Sequence, residues 1–337
     1  TPPPQKNTTT TTMPAAATSA PGDGGAPHVA LIPSAGMGHL VPFVRLAAAL
    51  AARGCEVTFV NAHPVVSATE FRHVSDFVAS TPGVRPLDFR LLPLEPSTAA
   101  STDPFFLHFE AIRRSAHLLT PLLSSASPSL SAVVIDISLA SAVLPVTAAL
   151  SLPSHLLFTA SAAMLALCAA FPNAPFPASE VELPGVGALP AAWIPQPLHH
   201  PGHLFTTQFR ENGRALAAAD GVLVNTWAAL EPDTLAALNS GGVVPGLPPV
   251  TAVGPLPPVG PGRSSDACLP WLDAQPEGSV VYVSFGSRTA MSPEQTRELG
   301  VGLERSGCRF LWVVKTKKVD REEDEEEGVE ELVGEGY

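Results

Sequence analysis

Cysteine is scarce in this sequence, and the four cysteines that occur lie far apart. Cys55, Cys168, Cys268 and Cys308 form no close pair and none of the CxxC spacings that metal sites and redox motifs use. Scattered cysteines of this kind are typical of reduced thiols in a cytoplasmic protein. The sequence therefore predicts a cytoplasmic location and no metal site.

Basic residues are also few, since the sequence has 19 lysines and arginines but 31 aspartates and glutamates. The formal net charge of -12 disfavours nucleic-acid binding, which needs cationic side chains against phosphate. Much of the negative charge lies in the segment "DREEDEEEGVEELVGE" at 320–335, which carries ten acids and one arginine. We interpret that segment as a solvated acidic loop.

Charge is absent from one long stretch, residues 137–179, which contains no Asp, Glu, Lys or Arg. Pro145 and Pro153 help to divide it into pieces that are too short to cross a bilayer. We expect a buried helix, a strand and a second helix there, and no integral association with a membrane. No charged region followed by an apolar core marks the start of the chain, so we predict no signal peptide and consider Met13 a candidate start.

Short apolar strands alternate with segments of helical spacing between residues 28 and 254, which is typical of an α/β protein with parallel strands. The strand candidates are "HVALI", "EVTFV", "DFRLLPL", "SAVVIDI", "SHLLFTA" and "GVLVNTW", and the longest helical segment is "DPFFLHFEAIRRSAHLLTPLL". Residues 255–268 are rich in Pro and Gly, and we predict that they form an interdomain linker. Residues 1–27 are predicted to be a disordered tail.

The alternation starts again in residues 269–337, which we predict to be part of a second domain. "CLPWLDAQ" is expected to form a short helix, "SVVYVSFGS" a buried strand and "RFLWVVK" another strand. The helix between these strands is expected to begin after Ser292, with Gln295 completing a capping box. A doubly wound sheet needs more than two strands, so we predict that the second domain is incomplete.

The stretch "SAGMGHLVP" at 34–42 is predicted to be a turn between the first strand and a helix that runs from Phe43. Gly36 and Gly38 lack a Cβ, so the backbone there can turn tightly and a ligand can approach it. A dinucleotide fingerprint would have Gly or Ala where this sequence has Val41, and the second strand ends without an acidic residue. A nicotinamide or flavin site, and with it an oxidoreductase, is therefore disfavoured.

His39 lies in this turn, and Asp136 ends the strand candidate "SAVVIDI". Because the carboxyl ends of parallel strands lie at one edge of a sheet, we expect the two side chains to meet. A carboxylate can orient an imidazole and stabilise its charged form, and the imidazole can then act as a general base near neutral pH. The alternatives are a solvated or capping histidine and an aspartate that caps the following turn.

Several motifs, taken together, give the sequence a family resemblance. They are "GHLVP", "VVIDIS", "GVLVNTWAALEP", "VGPL", "WLDAQPEGSVVYVSFGS" and "RFLWVVK". The chain resembles the plant family 1 UDP-glycosyltransferases over residues 28–337, and "IPSAGMGHLVPF", "DPFFLHFEAIRRSAHLL" and "FTASAAMLALCA" are similar to segments of grass flavonoid C-glucosyltransferases. The resemblance implies an α/β fold of the GT-B type, with two Rossmann-like domains of which the second is incomplete.

The resemblance also implies an activity and roles for individual residues. His39 would be the general base and Asp136 its partner in an inverting transfer of glucose from UDP-glucose to a flavonoid-type phenol, without a metal or another cofactor. The order Asp136-Ile137 is similar to that of C-glycosylating members and points to 2-hydroxyflavanones as acceptors. Donor contacts are expected from Gly38, Ser284, Gly286 and Ser287, and acceptor contacts from Ile137, Phe158, Ser161 and Phe205.

One part of the family pattern does not occur in the sequence. The donor-binding box of the family has a Trp for uracil, a Glu for ribose, a "HCGWNS"-like phosphate site and an Asp-Gln pair for the sugar, and it is expected after "GEGY" at 334–337. We therefore expect that the chain is truncated and that by itself it is inactive and binds donor weakly. Two alternatives stay open, an O-glucosyltransferase of phenolics and a non-catalytic phenolic-binding protein. A monomer is expected.

Overall fold

The computed structural model describes residues 25–94, 103–174, 180–259, 268–286 and 291–314. Within these ranges the elements follow one another, with short 3-10 turns between some of them, as β1 (His28–Ile32), α1 (Met37–Ala51), β2 (Glu56–His63), α2 (Ala68–Ser80), β3 (Val84–Arg90), α3 (Pro104–Ser115), α4 (Leu119–Ser124), β4 (Ala132–Asp136), α5 (Ala140–Ala149), β5 (Ser154–Phe158), α6 (Ala162–Ala170), β6 (Glu180–Leu183), β7 (Gly187–Pro190), α7 (Leu204–Ala215), β8 (Gly221–Val224), α8 (Pro232–Asn239), β9 (Val250–Ala252), α9 (Cys268–Asp273), β10 (Val280–Val283), α10 (Pro293–Arg305) and β11 (Arg309–Trp312).

Seven strands of the described residues form one sheet in the order β3-β2-β1-β4-β5-β8-β9, and every neighbouring pair is parallel. From β1 the chain builds the sheet outward through β2 and β3, and it then returns to place β4 on the other side of β1. The strand order therefore reverses between β1 and β4. In open α/β sheets the ligand crevice lies at such a reversal, beyond the carboxyl ends of the strands.

Helices cover both faces of this sheet. Alternate residues of a strand point to opposite faces, so Leu31 and Val134 pack with α1 and α2 in one apolar cluster. Ile32 and Ile135 pack with α3, α5, α6 and α7 in the other cluster. Because both faces are buried, β1 and β4 are almost continuous apolar runs.

The strand predicted at "DFRLLPL" lies earlier in the chain than expected. β3 spans Val84–Arg90, and it includes Pro86. Proline donates no hydrogen bond to a sheet ladder and argues against a strand. Among the described residues, however, β3 is at the edge of the sheet and pairs only with β2, and proline is tolerated in an edge strand. The other five strand predictions in this part of the chain are confirmed, while the short strands β6, β7 and β9 were not predicted.

The helix predicted from Phe43 begins at Met37. Gly36 makes the turn with a φ of 97°, and its carbonyl accepts a hydrogen bond of 2.9 Å from the N–H of His39. Pro42, which was assigned to the turn, lies inside the helix. His39 is therefore held by the first turn of α1 rather than by a loop.

The charge-free stretch forms a buried helix, a strand and a second helix, as predicted. These are α5, β5 and α6, which follow a 3-10 turn at Ile137–Leu139. Residues 175–179 of the stretch lie outside the described residues. In the part of the chain that the structure describes, no helix has both the length and the apolar character needed to cross a membrane.

Residues 268–286 and 291–314 contain α9, the parallel pair β10 and β11, and α10. The capping box is confirmed, because the Ser292 side chain accepts from the N–H of Gln295 and the Gln295 side chain accepts from the N–H of Ser292. The prediction that β10 is buried is wrong, since Val281 and Tyr282 are 44% and 66% exposed. Within the described ranges this sheet has two strands only, so little apolar surface covers β10.

The beginning of the predicted linker is packed against the sheet. Leu256 is 6% exposed and belongs to the cluster on the α1 side, and the guanidinium of Arg45 donates to its carbonyl at 3.3 Å. Residues 260–267 and the acidic segment 320–335 lie outside the described residues. The domain boundaries at 254 and 268 stay predictions.

Candidate functional site

His39 and Asp136 meet at the point where the strand order reverses. Asp136 is the last residue of β4, and His39 lies just beyond β1 in the first turn of α1. Nδ1 of His39 is 2.8 Å from Oδ2 of Asp136. The side chain of His39 is 30% exposed, whereas that of Asp136 is fully buried. A ligand can therefore reach the imidazole but not its partner.

Hydrogen bonds hold both oxygens of the Asp136 carboxylate. Oδ1 accepts from the N–H of Ser138 at 2.9 Å and from its hydroxyl at 2.5 Å, while Oδ2 bonds with His39. Burial raises the pKa of Asp136, but the attraction of His39 and the hydrogen bonds from His39 and Ser138 outweigh it, so the pKa lies below its usual value. Asp136 is therefore an anion at neutral pH. It also caps the 3-10 turn that follows, as the alternative interpretation expected.

The ionised carboxylate determines the tautomer of His39. A carboxylate has no proton to donate, so Nδ1 of the imidazole must be the donor in this hydrogen bond. That tautomer makes Nε2 the nitrogen that can accept a proton, which is the arrangement of a general base oriented by an acid. Within the described ranges, no group of three or more His, Cys, Asp and Glu side chains is placed to hold a metal ion.

The position of Asp136 follows from the two-residue repeat of β4. Val134 packs in the cluster on the α1 side, and Asp136, two residues later, lies on that same side, where His39 is. Ile137 packs in the cluster on the opposite face. If Asp and Ile exchanged places, the carboxylate would leave the side on which His39 lies.

A row of aromatic side chains extends from His39. The rings of His39 and Phe109 are 5.8 Å apart between centroids, those of Phe109 and Phe106 are 6.3 Å apart, and those of Phe106 and Phe205 are 5.2 Å apart. The prediction included Phe205 but missed Phe106 and Phe109 of α3. Their spacing of three residues on a helix capped by Asp103 was the signal that could have identified them.

The other predicted acceptor residues lie at the same edge of the sheet. Leu157 pairs in register with Asp136, so Phe158 and the start of α6 follow directly beside the His39 site. Phe158 is 4% exposed and packs in the core. Ser161 is exposed, and its hydroxyl caps α6 by accepting from the N–H of Met164 at 3.2 Å. Contacts of these residues with an acceptor stay predictions.

The predicted donor residues belong to two separate parts of the chain. Gly38 lies in the first turn of α1, where an added Cβ would meet no atom within 4 Å. Ser284 and Gly286 follow β10, and Gly286 has a φ of 81°, a conformation that favours glycine. Ser287 lies outside the described residues. No observation tests their contacts with a donor.

A small cavity lies beside the Gly36 turn, where Ser34, Leu40, Glu70 and His108 contribute to its lining. Glu70 is buried and accepts from the N–H of Gly36 at 3.0 Å, a contact that sequence reasoning missed. Burial lowers the pKa of His108. The cavity has a volume of about 50 Å³. One water needs roughly 10–15 Å³ on such a scale, so this cavity is too small to hold a polyphenol.

Curated plant proteins resemble the chain over almost its whole length. A rice protein, "UDP-glycosyltransferase CGT" of Oryza sativa subsp. japonica, is 55% identical over 325 residues, which are 93% of this chain and 68% of that protein. The maize protein "UDP-glycosyltransferase 708A6" is 51% identical over 326 residues, 92% of this chain and 68% of the relative. The chain thus spans about two thirds of these relatives' length. No family model matches it.

Solved structures of similar proteins have the same fold. "LpCGTa in complex with UDP" is 56% identical, with a TM-score of 0.76, and the match covers 86% of this chain and 66% of that one. "Phytolacca americana UGT2 complexed with UDP-2fluoro-glucose and pterostilbene" is 30% identical, with a TM-score of 0.69, over 86% of this chain and 67% of that one. The predicted α/β fold of the GT-B type is confirmed, and the chain belongs to the plant family 1 UDP-glycosyltransferases.

Proposed function

We propose that the protein transfers glucose from UDP-glucose to a carbon of a flavonoid-type phenol, with 2-hydroxyflavanones as the acceptor class, and that His39 is the general base. The observation that carries this proposal is the 2.8 Å contact between Nδ1 of His39 and Oδ2 of Asp136 at the reversal of strand order. Similarity to proteins named as UDP-glycosyltransferase CGT and LpCGTa supports the carbon as the site of attack.

The reaction begins with a proton transfer to His39. Nε2 of His39 takes the proton of an acceptor phenol, and the negative charge that results spreads onto the ring carbons ortho and para to the oxygen. One of these carbons attacks C1 of glucose, the bond between C1 and the diphosphate oxygen breaks, and UDP leaves with the electron pair. The ring carbon that has formed the new bond then loses its own proton to water, and the ring regains aromaticity. Attack opposite the leaving group inverts C1.

Aromatic surface next to His39 favours a flat phenolic acceptor. Phe109, Phe106 and Phe205 form a continuous row from the imidazole, and aromatic rings pack well against such edges and faces. We assign the acceptor to this row, and further acceptor contacts of Ile137, Phe158 and Ser161 are part of the proposal. The small cavity next to Gly36 holds too little volume for that role.

The diphosphate of the donor is assigned to backbone N–H groups. The first turn of α1 carries partial positive charge, and Gly38 leaves its surface open because it has no Cβ. Ser284, Gly286 and Ser287 are proposed to contact the same diphosphate from the turn after β10. These contacts bind charge only, and they give no specificity for uracil or for glucose.

We expect the 337-residue chain by itself to show no measurable affinity for UDP-glucose. Its sequence contains none of the Trp, Glu and Asp-Gln pattern expected for uracil, ribose and sugar. Serine and glycine contacts with a diphosphate do not replace stacking on uracil. Isothermal titration calorimetry tests this expectation. The positive control is a fusion protein, in which this chain is joined to the part of the rice relative that it does not match. Micromolar binding by the chain alone would contradict it.

Transfer of labelled glucose tests the proposed function. The chain and the fusion are each incubated with UDP-[¹⁴C]glucose and either a 2-hydroxyflavanone or a phloretin-like acceptor. We expect the fusion to make an acid-stable product. A product that loses its sugar in acid would identify an O-glucosyltransferase. Saturable binding of the acceptor by both proteins without any transfer would identify a non-catalytic phenolic-binding protein.

A further inference from the structure

A buried amide on α7 connects that helix to the turn after β4. Asn212 is 3% exposed. Its Nδ2 donates to the carbonyl of Ser138 at 2.9 Å. Its Oδ1 accepts from Ser141, at 3.0 Å from the backbone N–H and 2.9 Å from the hydroxyl. Asn212 therefore bonds with both ends of the segment 138–141.

The same segment orients the carboxylate of Asp136. Ser138 donates from its N–H and from its hydroxyl to Oδ1 of Asp136, and Oδ2 is thereby directed at His39. The last torsion of an aspartate side chain is soft and has a broad range of allowed values. Hydrogen bonds to one oxygen are therefore needed to fix the direction of the other. Ser138 supplies them, and Asn212 fixes Ser138.

A largely buried arginine anchors this connection to α3. Nη1 of Arg113 donates to the hydroxyl of Ser141 at 2.6 Å, and Nη2 pairs with Glu211. The side chain of Arg113 is 12% exposed. Three helices, α3, α5 and α7, thus hold the segment that carries Ser138, and α3 is also the helix of Phe106 and Phe109.

We infer that Asn212 is a positioning residue, which acts through Ser138 to hold the Asp136 carboxylate in line with Nδ1 of His39. The inference rests on the proposed roles of His39 and Asp136. Asn212 itself contacts neither substrate in this proposal. A hydrogen-bonding group that orients a catalytic side chain from behind typically affects activity by about 10- to 100-fold, as the outer partners of metal ligands do.

Proton NMR of the histidine-labelled 337-residue chain tests the inference without requiring transfer. We expect a protected, low-field resonance of the Nδ1 proton of His39, assigned by its loss in His39→Gln. Asn212→Ala and Ser138→Ala are expected to shift this resonance upfield or to remove it through exchange with water. Asn239→Ala is the control, since the Asn239 side chain also uses its Nδ2 and its Oδ1 to bond with backbone groups, but at the far end of the sheet. It should leave the resonance unchanged.

Steady-state kinetics of the fusion protein give a second test of the positioning role of Asn212. We expect Asn212→Ala and Ser138→Ala to lower kcat by about 10- to 100-fold with little change in KM for either substrate. The isosteric Asn212→Asp variant keeps the volume of the side chain but loses the donor to Ser138, so it covers the case in which Asn212→Ala does not fold. A wild-type His39 resonance in a folded Asn212 variant would overturn the inference. If the resonance moves but no variant or wild-type protein transfers glucose, the positioning role stands and the proposed function fails.

Discussion

Replacing His39 with alanine is expected to reduce kcat/KM for glucose transfer by about 10²- to 10⁴-fold, the usual contribution of a general base. The substitution removes the nitrogen that takes the acceptor proton, and it leaves the first turn of α1 in place because the side chain is 30% exposed. Initial rates with saturating UDP-glucose and varied acceptor measure the effect in the fusion protein.

A second histidine–aspartate pair provides the control for this experiment. Nε2 of His63 lies 3.2 Å from Oδ1 of Asp88 at the ends of β2 and β3, away from the reversal of strand order. His63→Ala should keep transfer within a factor of a few of the wild type. If His39→Ala retains activity to the same degree, His39 is not the base.

The change Asp136→Asn is expected to reduce kcat/KM by a comparable factor, about 10²- to 10⁴-fold. The amide can donate to Nδ1 of His39, which stabilises the tautomer with its proton on Nε2, and that nitrogen can then no longer accept a proton from a phenol. Asp88→Asn is the matched control and should have little effect. Equal activity of the two variants would show that the pairing with Asp136 has no part in the reaction.

The same substitution should also change the dependence of stability on pH. The pKa of Asp136 is lowered in the folded protein, so its ionised form contributes stability above the unfolded pKa of about 3.9, and that stability is lost as the pH falls through the lower folded value. The amide that replaces the carboxylate cannot titrate. We therefore expect the Tm of the Asp136→Asn chain to fall less steeply below about pH 4 than that of the wild type. Parallel curves would contradict the lowered pKa.

Sequence reasoning located the pair of His39 and Asp136 because parallel strands bring their carboxyl ends to one edge. It placed the start of α1 too late, because Gly38 and Pro42 are read as turn residues when no tertiary contact is known. In the structure the carbonyl of Gly36 accepts the first hydrogen bonds of the helix, so Gly38 and Pro42 lie inside α1.

Long-range polar contacts could not be predicted from the sequence. Asn212 is one polar residue in an amphipathic helix, and the carbonyl that it bonds belongs to a residue 74 positions earlier. No local pattern connects the two. The row formed by Phe106, Phe109 and Phe205 depends in the same way on the packing of α3 against α7.

The bond between glucose and the acceptor in the product distinguishes attack by carbon from attack by oxygen. The fusion is supplied with UDP-glucose labelled with ¹³C at C1 and with a 2-hydroxyflavanone, and the purified product is examined by carbon and proton NMR. If His39 activates the phenol for attack by a ring carbon, we expect a labelled anomeric carbon coupled directly to a carbon of the acceptor ring, with the large H1–H2 coupling of a β-glucoside formed by inversion. A labelled carbon bonded to a phenolic oxygen of the acceptor in every product, or a C-glucoside made equally well without His39, would contradict it.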